Sequence, residues 1–290
     1  MLFKKLISTT ISNLTYYMFP EFVHQIREDM RWALYRGKSL SKSEKKQLEM
    51  YIKQHFSCMV ANIIEILSLD YMTDEKFNSN VRIIGEENLR NALSKGKGAI
   101  LLMAHFGNWE YIGYWLSRIG NVDIASFYLD QYSKTLDAFL NKRRLNYGLK
   151  LIHREEMKAA IKHLKSNGIL ALISDQDGLS TGEYIYFFDR LVSAPKGVVR
   201  FAHKFKCPVI PVYSYRNMTN FSHNIVFGSN LSLVGRDVTI QQEIKKHYSF
   251  FEDIILNHPQ EWLWAYKRWK SRRHVVRTAY NQNLPYYKNK

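Results

Sequence analysis

From Val81 onward the chain alternates short apolar runs with stretches of helical character, and this rhythm constrains the fold more than any other feature. "AILLMAH", "DIASFYL", "ILALISD" and "PVIPVYSYR" read as buried strands; "REEMKAAIKHLKSNG" and "PKGVVRFAHKFK" read as the helices between them. Such alternation predicts an α/β fold, a mostly parallel central sheet flanked by helices. Residues 1–77 differ: they read as an N-terminal helical region, broken at "RGKSLSKSEKK". The expected organisation is that region followed by an α/β domain over 78–290, the two forming one structural unit. Within the second part, "HNIVFGSNLSLVG" reads as a short polar hairpin and Thr239 to Asn257 as a helix, ahead of the aromatic, basic "WLWAYKRWKSRR".

Charge narrows the partners. Lys and Arg number 42 against 26 Asp and Glu, for a net charge of +16, which attracts phosphates on nucleic acid, lipid headgroups or an acidic carrier protein. Cys58 and Cys207 form no disulfide framework and no metal-ligand spacing with each other, as expected of buried thiols in a reducing compartment. The N-terminus is too rich in Ser, Thr and Asn for an export signal, and no run of about 18 apolar residues is free of charge. Phe56, Met59, Val60, Ile63, Ile64 and Leu67 recur at helical spacing. A core-facing helix and an apolar face laid on a membrane would both give that stripe.

The strand "GAILLMAH" ends on His105, and in open α/β sheets ligands gather beyond the carboxyl ends of the strands. Gly107 and Asn108 read as a turn and a helix N-cap, which puts Glu110 in the first helical turn, within reach of one imidazole nitrogen. The other nitrogen would then accept a proton from a substrate hydroxyl. Spacing alone is weak support, since His24 with Asp29 and His247 with Glu252 also satisfy His-x4-Asp/Glu. Only His105 ends a strand; a histidine with a purely structural role remains the competing reading. "ILALISDQDG" brings Asp175 and Asp177 to the same edge, as carboxylates for a divalent metal of a glycosyltransferase, for substrate donors, or as a capped turn. In "FLNKRRLNYG", Arg143 and Arg144 would bind phosphate or an oxyanion, or merely form a solvated helix face.

Together, "NLTYYMFPEF", "HFGNWE", "RRLNYG", "SDQDG", "YFF" with "APKGVVRFAHKFKCPVIPVY", and "PQEWLWAYKRWK" resemble, in order, the lipid A biosynthesis acyltransferases, the lauroyl and myristoyl transferases of the lysophospholipid acyltransferase superfamily. The resemblance implies transfer of a fatty acyl group from a thioester, on acyl carrier protein or coenzyme A, to a hydroxyl of a membrane glycolipid such as a lipid A precursor, without metal or cofactor. It makes His105 the general base and Glu110 its partner, Arg144 the oxyanion or phosphate group ahead of Arg143, and Asn108, Asp175 and Gln176 acceptor-binding residues. Acylation of another glycolipid or a lysophospholipid, and a metal-dependent glycosyltransferase using "DQD", are the alternatives; nucleic acid is not an expected partner.

Family members commonly carry a spanning helix ahead of the opening signature, which here begins at Asn13. The expectation is therefore peripheral attachment at the cytoplasmic face of the bacterial inner membrane. The stripe at Phe56 to Leu67 would supply apolar contact. Lys267, Arg268, Lys270, Arg272, Arg273 and Arg277 would supply charge to an anionic surface, and Trp262, Trp264 and Trp269 would suit the interface.

Overall fold

A computed structural model describes residues 2–128, 134–235 and 237–269, with side chains from residue 8 onward. Three helices open the chain: α1 (Leu2–Met18), α2 (Pro20–Tyr35) and α3 (Lys42–Ser68). Pro20 starts α2, where its missing N–H has no helical partner to lose. Ser41 and Glu44 close a reciprocal capping box on α3, so the predicted break falls where the chemistry for a new helix lies. The short α4 (Asp74–Asn78) leads into β1 (Val81–Ile84), α5 (Glu86–Leu93), β2 (Ala99–Met103), α6 (Trp109–Tyr114), β3 (Ile124–Tyr128) and α7 (Lys134–Asn146). There follow β4 (Lys150–His153), α8 (Met157–Lys165), β5 (Ile169–Ile173), β6 (Glu183–Phe187), β7 (Arg190–Ala194), α9 (Gly197–Phe205), β8 (Val209–Arg216), β9 (His223–Phe227) and α10 (Ile240–Asn257).

Seven strands form one sheet in the order β1-β9-β8-β2-β5-β3-β4. Every pairing in it is parallel except β8 with β9. The α/β architecture with N-terminal helices is thus as the sequence implies. Two details differ. "HNIVFGSNLSLVG" supplies only β9, whose antiparallel partner is the preceding strand β8, while the segment after it forms no strand. The "YFF" region instead makes a separate antiparallel hairpin of β6 and β7.

Strand β2 lies in the middle and is buried on both faces. Ile100 and Leu102 join the core shared with α2, α3 and α10, whereas Ala99, Leu101 and Met103 join the opposite core with α5 and α6. Val23, Ile26, Met30, Ile52 and Phe56 of the N-terminal helices enter the first of these cores beside Trp262 and Trp264.

Helix α3 corrects the reading of the apolar stripe. Phe56 is buried, but Ile63 and Leu67 are 57% and 45% exposed. Its inward side carries Leu48, Ile52, His55, Cys58, Ala61 and Glu65, because that side must meet a buried ionic cluster as well as the core. Both cysteines are free and buried. Helix α7 buries none of its residues, and Leu136, Phe139 and Leu145 remain exposed on or beside it. No helix among the described residues is long and apolar enough to cross a membrane.

Candidate active site

Backbone geometry delivers His105 just past β2 and folds the chain back at once. Gly107 adopts φ +59°, and a Cβ there would stand 1.8 Å from the carbonyl oxygen of Ser214, so only glycine fits so close to β8. Asn108 caps α6, its Oδ1 accepting the Tyr111 N–H at 3.3 Å. The turn and cap are those expected from the sequence.

The partner of His105 is a different carboxylate from the one its spacing suggested. Strand β5 pairs with β2, and its end sets Asp175 beside the histidine: Asp175 Oδ1 lies 2.9 Å from His105 Nδ1, and Oδ2 accepts the His105 backbone N–H at 3.1 Å. Since a carboxylate only accepts, the proton sits on Nδ1 and Nε2 keeps a free lone pair. The imidazole is 22% exposed and its carboxylate partner 4%, so the ring is reachable from outside and the carboxylate is not. Burial alone would raise the Asp175 carboxyl; the charge and hydrogen bonds of His105 and the indole of Trp262 outweigh it and hold the group below its ordinary value. Both Asp175 oxygens are thus engaged by His105 and Trp262.

Glu110 turns toward α7. Arg144 donates to it from Nε at 3.2 Å to each oxygen and again from Nη2, and Tyr147 Oη donates at 2.9 Å. In the first turn of its helix, Glu110 projects from α6 on the side where α7 passes, while Asp175 takes His105. Burial would lower the Arg144 guanidinium, but Glu110 more than offsets this and keeps it charged. Burial and then Glu110 push the Tyr147 phenol well above its ordinary value. The adjacent arginines part company: Arg143 bonds the Ile66 carbonyl at 2.6 Å and Asp70 at 3.2 Å, anchoring α7 to the end of α3, while Arg144 joins the Glu110 cluster.

Asn108, expected to bind acceptor, is 1% exposed and serves beneath the turn, its Nδ2 donating to Glu65 at 3.0 Å. Gln176 remains half-buried at the sheet edge. Asp175 spends its oxygens on His105 and Trp262, Asp177 Oδ1 caps the Leu179 N–H at 3.0 Å, and among the described residues no group of three or more His, Cys, Asp or Glu is placed to hold a metal ion. Trp262, Trp264 and Trp269 are 2%, 1% and 8% exposed, packed inside and not at an interface. Of the basic tail, Lys267 is exposed, Arg268 is buried against the Ser193 carbonyl at 2.7 Å, and Lys270, Arg272, Arg273 and Arg277 lie outside the described residues.

A second layer went unanticipated. Arg216 at the end of β8 is fully buried and donates at 2.7 Å to both Glu65 and Asn62 of α3; His223 meets Glu65 at 3.1 Å. Burial would raise the Glu65 carboxyl, but Arg216 and His223 hold it well below its usual range. Asn62 in turn donates to the Gly107 carbonyl at 2.9 Å, Ser214 Oγ accepts the Asn108 N–H at 2.8 Å, and the Glu261 carbonyl accepts the Gly107 N–H at 2.9 Å. The turn after His105 is thereby gripped by α3, β8 and the C-terminal segment together. The one sequence signal for this layer is an acid, Glu65, inside the apolar run "ANIIEILSL".

An imidazole with a buried carboxylate on Nδ1 and an open Nε2 has the arrangement of a base that could deprotonate a hydroxyl. The profile of the family described as bacterial lipid A biosynthesis acyltransferase matches residues 12–271. Phosphatidylinositol mannoside acyltransferases of Mycobacterium tuberculosis and Mycolicibacterium smegmatis are 25% and 23% identical over 214 and 216 residues, 71% of this chain in each case. The matches span 66% and 67% of those relatives, and 60% of a second M. tuberculosis protein with the same description, so the chain covers about two thirds or less of their length.

Proposed function

Because the chain belongs to the bacterial lipid A biosynthesis acyltransferase family, we propose that it moves a fatty acyl chain from an acyl thioester to a hydroxyl of a membrane glycolipid. The observation that carries this reading is His105, with Nδ1 on buried Asp175 and Nε2 open at the carboxyl edge of the sheet. Nε2 takes the acceptor proton, the oxygen attacks the thioester carbonyl, the C–S bond breaks, and the departing thiolate recovers the proton from the imidazolium. No serine or cysteine of "HFGNWE" intervenes, so transfer is direct. Arg144, fixed by Glu110 yet 24% exposed, presents its remaining N–H groups to the thioester oxyanion or an acceptor phosphate. Gln176 contacts the acceptor.

The acceptor we favour is a lipid A precursor; the named activity of the relatives makes a phosphatidylinositol mannoside the next glycolipid to try. The donor is acyl carrier protein or acyl-coenzyme A, either of which suits a chain of charge +16. Attachment is peripheral, at the cytoplasmic face of the inner membrane, with Ile63 and Leu67 of α3 and the exposed Leu136 and Phe139 of α7 toward lipid.

The test is transfer of a labelled acyl group from each donor to each glycolipid, followed by mass spectrometry. His105→Ala should stay folded and lose about 10²–10⁴ in rate. A folded His105→Ala enzyme with near wild-type turnover, or a stable acyl adduct on the protein incubated with donor alone, would contradict the scheme.

A further inference from the structure

The segment Gln260–Leu263 has no chemical part in the scheme above, yet it grips the catalytic turn along its length. Its backbone bridges Phe106 through Trp262, the Leu263 N–H donates to the His105 carbonyl at 2.9 Å, and the Gln260 carbonyl meets His55 at 3.2 Å. The Trp262 indole N–H reaches Asp175 Oδ2 at 2.8 Å, on the far side of the carboxylate from His105 Nδ1. Three rings fix the plane of that indole: Phe187, Trp264 and Trp269 meet it edge-on with centroids 5.6, 4.6 and 5.9 Å away. The direction of its N–H is thereby set by packing. With His105 donating from two nitrogens and Trp262 from one, both carboxylate oxygens are held and the group cannot turn about its own axis.

We propose that Trp262 is a positioning residue for acyl transfer, the third member of a His105–Asp175–Trp262 chain whose indole N–H fixes the Asp175 plane and withdraws charge from it. The proposal rests on reading His105 as the base. Without that donor, the carboxylate becomes more basic and holds the imidazolium more tightly. The protonated imidazole then persists to higher pH, and the acidic limb of the kcat/KM profile moves upward.

The other charged or titratable groups around the chain are Asp177 on the same loop with Tyr266 on its N–H, His55 of α3 on the Gln260 carbonyl, Tyr248 of α10 with Arg268, the Glu110–Arg144 pair of α6 and α7, and Glu65, Arg216, His223 and Glu261 beneath the turn. Trp262→Phe changes none of them and keeps most of the ring volume.

Trp262→Phe should lower kcat about tenfold with KM within about twofold, and raise the acidic limb by about half to one pH unit. Trp264→Phe is the matched control: its indole donates to the Pro259 carbonyl at 2.7 Å and not to the chain, so the limb should stay in place. A second measurement needs no variant. In protein carrying ¹⁵N-labelled tryptophan, the Trp262 indole resonance should titrate with the same midpoint as the His105 ring protons. A Trp262→Phe profile superimposable on the wild type, or an indole resonance that ignores the His105 titration, would overturn the proposal. Wild-type protein with no acyl transfer to any glycolipid would sink the catalytic reading, while the indole titration would still report whether the chain exists.

Discussion

Replacing Asp175 by asparagine tests the site at its most constrained atom pair. The carboxylate accepts three N–H groups: His105 Nδ1 on Oδ1, and the His105 backbone and Trp262 indole on Oδ2. An amide has one oxygen to offer. Pointing it at the two donors on the Oδ2 side leaves one NH₂ facing Nδ1; the reverse orientation sets the NH₂ against two donors. The first arrangement avoids one additional donor-to-donor conflict, worth about 1–3 kcal/mol in a buried setting. It also forces the imidazole proton onto Nε2, the atom that must be bare. The productive tautomer then falls about 10- to 100-fold in population. Loss of the carboxylate charge beside a developing imidazolium brings the total to about 10²–10⁴ in kcat. The assay is thiol release from an acyl thioester with glycolipid acceptor, with circular dichroism to confirm the fold. An Asp175→Asn protein that is folded and within about threefold of wild-type kcat would refute both the partner assignment and the tautomer argument.

Three further outcomes are expected. Ile63→Glu with Leu67→Glu should weaken binding to anionic vesicles about tenfold or more while leaving the melting temperature within a few degrees, since both side chains are largely exposed; sedimentation of the variant with vesicles at wild-type efficiency would remove α3 from the lipid face. Gly107→Ala should destabilise the protein by about 2 kcal/mol or more in urea unfolding, from its positive φ and the Ser214 contact together, and a neutral result would mean the turn relaxes freely. Burial, aided at His247 by Lys246, holds His55 near about 4 and His247 near about 3, below the unfolded value of about 6.5. Both must stay neutral in the fold, so stability is lost as pH falls from about 6.5 toward 4, and the two together should remove about 4 kcal/mol between pH 7 and pH 5. Glu65, held low, adds to the loss further toward acid, and Glu261, raised by burial, opposes it. Equal urea midpoints at pH 7 and pH 5 would show that neither histidine is kept neutral.

What the sequence made legible was local. A histidine just past the end of a strand, a glycine that turns, an asparagine that caps and a helix break within "RGKSLSKSEKK" all follow from neighbours a few residues apart. The Asp175 partnership joins residues 70 positions apart through the β2–β5 pairing, and strand order in a parallel sheet is not written in spacing. Glu110 stood at the right interval and still faces elsewhere, because the interval says nothing of what α7 brings alongside. Counting only apolar residues on α3 selected the side with Ile63 and Leu67, whereas the inward side includes His55 and Glu65, polar groups that are buried because Gln260, Arg216 and His223 receive them. The tryptophans read as interfacial for a related reason: Trp262 and Trp264 satisfy their N–H groups inside, at Asp175 and Pro259.

Helix α7, with none of its side chains buried, is held near its C-terminal end by Arg143 to α3 and Arg144 to α6. Such a segment draws little local stability from apolar burial, so its amides should open and exchange with deuterium well before those of β2 or β5. One of the two contacts ends on Glu110. Protection of α7 should therefore report the state of the Glu110–Arg144 contact, and a ligand that engages Arg144 would be felt along the helix as a change in how often it lifts.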